Sequence, residues 1–150
     1  MIYFIGPESQ HSAIVSVALN QRGMDHVRIP ELPELSPDIV HTLSDLEDAP
    51  LTPHVFQIWI RPEIRRACDI IEDALKHAYA AVLLPGLAPW HCHLAGVATA
   101  AGIHCVRYLD FGTMTEPWLA CRMAMTTIAV EVADIIQGHI GPVGDTPNEP

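Results

Sequence analysis

The sequence predicts an α/β protein, a single-domain three-layer sandwich in which helices flank a parallel sheet. Three observations carry the prediction. The chain opens strand, helix, strand, with a connection long enough for a parallel crossover. Residues 80–84 are an almost continuous apolar run, the pattern of a central parallel strand covered on both faces. Around that run, helical and strand periodicities alternate and repeat the opening unit. Such a sheet is flavodoxin- or Rossmann-like, and 150 residues bury a core of this kind without a metal or disulfide staple.

Taken in order, residues 2–5 (Ile-Tyr-Phe-Ile) are β-formers stopped by Gly6-Pro7. Ser9 or Ser12 then caps a helix running to about Gln21, Arg22-Gly23 closes it, and residues 25–29 form a second strand. Residues 30–55 turn to proline and acid, with only residues 37–46 able to hold a helical turn or two. A stretch of this kind is either a lid or ordered binding segment, or a variable surface insertion. Residues 56–60 read as a short strand or an extended lead-in. Pro62, in the first helical position, opens a helix to His77 whose apolar stripe is Ile64, Ala67, Cys68, Ile71, Ala74 and Leu75. After the strand at 80–84 and the stop at Pro85-Gly86, a small-residue helix covers 94–101 and ends at Gly102, and a strand follows at 104–109. The turn Asp110-Phe111-Gly112 leads into a last helix over about 116–137. Its apolar residues run around much of its circumference, so it needs cover on more than one side: either packing on the sheet accounts for them, or the other face also forms a homodimer or higher homo-oligomer interface. The α/β domain is thus residues 1–137, and 138–150 is a Gly/Pro/acid-rich flexible tail.

Eight Lys plus Arg stand against 18 Asp plus Glu, a formal charge of −10, and no basic cluster offers the footprint that a phosphate backbone demands. Nucleic-acid polymers and anionic membranes are therefore not expected as partners. The first residues lack a basic region followed by a long apolar run, so a cytoplasmic location is expected. Cys68, Cys92, Cys105 and Cys121 share no CxxC spacing, which argues for reduced, mostly buried thiols rather than disulfides or a four-thiolate zinc site.

In parallel sheets, ligands bind beyond the carboxyl ends of the strands, where loops enter helices. Two such mouths are legible: Gly6 to Ser12, and Pro85 to His93. The first lacks both the Walker lysine pattern and GxGxxG. Ser9 there is a phosphate ligand or simply an N-cap.

The order and spacing of several motifs resemble the nucleoside 2-deoxyribosyltransferase family. Ile2-Tyr3-Phe4-Ile5-Gly6-Pro7 is similar to its opening strand. Residues 68–110 are similar to its core segment of helix, apolar strand, Leu84-Pro85-Gly86, loop, small-residue helix ending in glycine, and strand. The resemblance covers about half the chain. It implies an active-site role for Tyr3 and a nucleobase contact for Asp73. It also implies a nucleophilic glutamate eight residues before the helix-ending glycine, and counting back from Gly102 gives Leu94. A leucine cannot stabilise an oxocarbenium-like transition state or form a glycosyl ester. The family's loop residues are replaced by Pro89-Trp90-His91-Cys92-His93.

His91-Cys92-His93 has three readings: ligands for zinc or copper, a Cys92 thiolate beside a histidine base, or a histidine pair near a helix start with Cys92 buried. Adjacent residues rarely converge on one ion, so neither a metal nor a cofactor is expected. Trp90 either stacks a base or packs over the helix. The site expected from the sequence has Tyr3, Asp73, His91 and His93 as catalytic residues, with Gly6, Ser9, Gly86 and Trp90 binding the ligand. That ligand is a nucleoside or nucleotide. If the protein is an enzyme, the chemistry is cleavage or transfer at an N-glycosidic bond; the alternative is a catalytically inactive protein that sequesters or senses a nucleotide-derived small molecule.

Overall fold

The computed structural model describes residues 1–108 and 118–140, with side chains in the latter segment over 125–138. The first strand, β1 (Ile2–Ile5), sends Ile2 and Phe4 to one face and Tyr3 and Ile5 to the other, and both faces are covered. Ser9 caps α1 (Gln10–Gln21) by accepting from the His11 N–H at 3.2 Å, and Ser12 Oγ accepts from the Ser9 N–H at 2.9 Å. After β2 (His26–Arg28), the chain crosses to the other face through α2 (Pro37–Leu46), α3 (Pro53–Trp59) and α4 (Pro62–Lys76) before entering β3 (Ala80–Leu83). The helix α5 (Pro89–Ala100) returns the chain to β4 (His104–Arg107), and α6 (Trp118–Ile140) lies against α1.

All four described strands are parallel, in the order β2-β1-β3-β4. This is the three-layer α/β sandwich the sequence predicts. One core lies between the sheet and α1 with α6, around Phe4, Val15, Leu19, Val82 and Ile136; the other lies under α2, α4 and α5, around Ile5, Leu43, Ile71, Leu75 and Leu94. Arg22 ties α1 to α6 through Asp134 at 2.6 Å and Gln137 at 3.2 Å.

Several elements differ from their expected form. Residues 56–60 are not a strand: 56–59 belong to α3 and Ile60 is its C-cap, because Thr52 caps the Val55 N–H at 3.2 Å and Pro53 occupies the first turn. The proline-rich stretch packs into the fold. It holds α2 over the residues expected to be helical, capped by Ser36, and buries Leu32, Leu35, Leu43 and Leu46 in the second core. The small-residue helix starts at Pro89 rather than at 94, so His91 and His93 are helical. None of the three described cysteines is fully buried, and Cys92 is exposed. Gly138 still lies within α6. The turn at Asp110, the start of the last helix at 116 and residues 141–150 lie outside the described residues. Among the described residues, no helix is long and apolar enough to cross a membrane.

Candidate functional site

The strand order reverses between β1 and β3: β1 hands the chain to β2 on one side through α1, while β3 hands it to β4 on the other through α5. The loops that leave β1 and β3 therefore diverge to opposite faces and leave a crevice at the carboxyl edge. Gly6 forms its floor with φ of +136°, and a Cβ there would meet Leu84 Cβ at 2.7 Å, so only glycine lets the two loops close up. Gly86 (φ +85°) turns the second loop beside Pro7. His11, in the first turn of α1, packs its ring on Tyr108 at 4.9 Å, just past β4.

Beneath this edge lies a buried polar cluster. Arg28 ends β2 and reaches back over the edge: one guanidinium nitrogen donates to the Gly6 carbonyl at 3.0 Å and to both Glu47 oxygens at 3.0 and 3.3 Å, and the other donates to Glu31 at 3.2 Å. The Glu47 side chain is 8% exposed, and removing one partner of a pair this buried costs about 3–5 kcal/mol. His91 is 1% exposed and completes the cluster. Its Nδ1 accepts from the Ala88 N–H at 2.9 Å, so in the neutral ring the proton sits on Nε2. Nε2 stands 3.4 Å from Glu47 Oε1, close enough for attraction but not aligned as a hydrogen bond.

Helical geometry disperses the His-Cys-His run. His91 points inward, Cys92 lies on the surface, and His93 meets Glu72 of α4 at 3.1 Å. Among the described residues, no group of His, Cys, Asp or Glu is arranged to hold a metal. Trp90 is half-buried and tilts against Trp59 of α3 at 5.4 Å, so one part of its surface is taken by packing. Ser9 is the N-cap of α1.

The structure thus brings Gly6, Ser9, Gly86, Trp90 and His91 to the carboxyl edge. Tyr3 and Asp73 lie elsewhere. Tyr3 faces the second core at mid-strand, and burial, with the nearby Glu34 charge, raises its hydroxyl above the ordinary tyrosine range. Asp73 is exposed in the last turn of α4, beside His77. Glu34 links the two, since it also lines a shallow groove of about 410 Å³ with Asp69, Ile70, Asp73 and Ala74. Leu94, where the family resemblance calls for a nucleophile, is 1% exposed and packs in the second core. Arg28, Glu47 and His11 were not singled out from the sequence, because their roles arise from contacts between distant segments. No family model, curated protein or solved structure matches the chain, so the family resemblance rests on its residues alone.

Proposed function

We propose that this chain binds a nucleoside or nucleotide in the crevice between the β1 and β3 loops, as a divergent nucleoside 2-deoxyribosyltransferase-like protein that has lost covalent chemistry. One observation supports this most directly: two glycine-dependent loops, at Gly6 and Gly86, flank the switch point of the sheet and each opens a helix there. Backbone N–H groups at two helix starts suit the polar edges and phosphates of such a ligand. Leu94 supplies no carboxylate. Glu47, the buried carboxylate at this edge, is held by Arg28 through both oxygens, which leaves it a poor nucleophile. Sequestration or sensing therefore fits better than transfer.

The reading is tested by thermal denaturation against a panel of nucleosides and 5′-nucleotides, with released base followed by chromatography. A ligand present at a hundred times its Kd adds about 2.7 kcal/mol, or roughly 5–10 °C for a chain of this size. The expected result is such a shift with one class of ligand and no base release. Base release that the Glu47→Gln protein lacks would restore the N-glycosidic enzyme. No shift across the panel at millimolar concentration would sink both versions.

A further inference from the structure

On the sheet face covered by α1, a second cavity of about 290 Å³ opens between α1 and the edge strand β2. Ser16 and His26 both line it, with Ser16 Oγ 2.6 Å from His26 Nε2. The direction of that hydrogen bond is fixed by the other side of the ring. Nδ1 lies 3.0 Å from the Met24 carbonyl oxygen, which can only accept, so Nδ1 carries the proton. Nε2 is then bare and accepts from the Ser16 hydroxyl. The imidazole is held flat on Phe4, with ring centroids 5.1 Å apart and planes at 15°. This arrangement is a hydroxyl, a base within reach of its proton, and a third group that orients the base. Arg28 follows His26 by two residues on the same face of β2 and lines the same cavity, with its guanidinium held by Gly6, Glu47 and Glu31.

We propose that Ser16 and His26 form a nucleophile and general-base pair acting on small uncharged carboxylic esters, in a cavity between α1 and β2 that shares Arg28 with the polar cluster beneath the crevice. The cavity lies at the small end of ligand pockets, which suits a small acyl group. Glu8 and Glu31 at its border, against an arginine already paired to Glu47, disfavour anionic substrates. Ser16 Oγ attacks the acyl carbon as its proton passes to His26 Nε2, giving a tetrahedral oxyanion. The C–O bond to the alcohol breaks, and the alcohol leaves with the proton from His26. Water then attacks the acyl-serine, gives a proton to His26, and releases the carboxylic acid while Ser16 recovers its own. A carbonyl rather than a carboxylate orients the ring, so the imidazolium that forms is weakly stabilised and turnover is slow.

The test is labelling with diisopropyl fluorophosphate, a neutral serine-directed phosphorylating agent, followed by peptide mass spectrometry. The expected result is one adduct per chain on Ser16, absent from Ser16→Ala and formed at least tenfold more slowly in His26→Gln, with thermal shifts by nucleosides unchanged in Ser16→Ala. No adduct on Ser16 of the wild-type chain overturns the proposal whatever the variants do. So does a labelling rate that folded His26→Gln leaves unaltered. If His26→Gln fails to fold, Ser16→Ala decides: it must also lose the accelerated hydrolysis of 4-nitrophenyl acetate, and retention of that rate overturns the proposal.

Discussion

At the scale of single residues, Leu94 decides what chemistry the crevice can perform. Its side chain is 1% exposed, in the core formed with Ile71, Leu75 and Ala98. A carboxylate introduced there would be buried without a partner, at a cost on the order of 3–5 kcal/mol. Leu94→Glu is therefore expected to lose roughly 10 °C or more of thermal stability and to gain no N-glycosidic activity, while Leu94→Met stays within about 1.5 kcal/mol. Melting curves and a base-release assay check this. A stable, base-releasing Leu94→Glu protein would mean that position 94 reaches the crevice and that one substitution erased a transferase. The count from Gly102 to Leu94 was legible in sequence because it depends only on local spacing. The cluster of Arg28, Glu47 and His91 was not, because Arg28 and Glu47 are 19 residues apart and meet only once α2 is folded.

At the scale of elements, long periodic segments were legible and short ones were misread where capping outweighed propensity. The stripe of α4 gave its limits almost to the residue, with Pro62 at the first turn and Lys76 in the last. Around the end of α3 the β-forming residues Phe56, Ile58, Trp59 and Ile60 suggest a strand. Thr52-Pro53 instead starts a helix that turns Val55, Ile58 and Trp59 inward. The start of α5 was missed for a related reason. Ala88 has no capping side chain, and the work falls to His91, whose Nδ1 reaches back to the Ala88 N–H as a glutamine does in a capping box. His91→Ala would leave that N–H unsatisfied and cost about 1–3 kcal/mol. His91→Gln keeps an acceptor in reach and should recover more than half of the loss. Urea denaturation of the three proteins measures the difference; equal losses in both variants would show that proximity to Glu47, rather than the cap, is what His91 contributes.

At the scale of the whole molecule, the parallel sheet and its carboxyl edge were legible because a buried central strand and alternating periodicities leave few other topologies. The burial of the proline-rich stretch was not, since its apolar residues follow no single period and find partners only across α4 and β1. The same burial sets how stability responds to alkali. Cys68 sits on α4 between the helix and the second core, where desolvation, then the charges of Glu72 and Asp69, push its thiol from 9.0 up to about 11. Tyr3, on the opposite wall of that core, is raised by burial and by Glu34. Between pH 9 and 11 the unfolded chain releases the Cys68 proton while the folded chain keeps it. The unfolded state then binds fewer protons, so the stability linked to Cys68 is full below pH 9 and is lost as pH rises through about 11. Tyr3 adds to the same loss from its ordinary value of 10.0 upward. The midpoint of urea unfolding should fall with pH across this window, and less steeply in Cys68→Ala, whose remaining slope includes the contribution of Tyr3. Below pH 8 the two proteins should run parallel. Parallel slopes between pH 9 and 11 as well would mean that Cys68 titrates alike in folded and unfolded chains, and that the second core is open to water along α4.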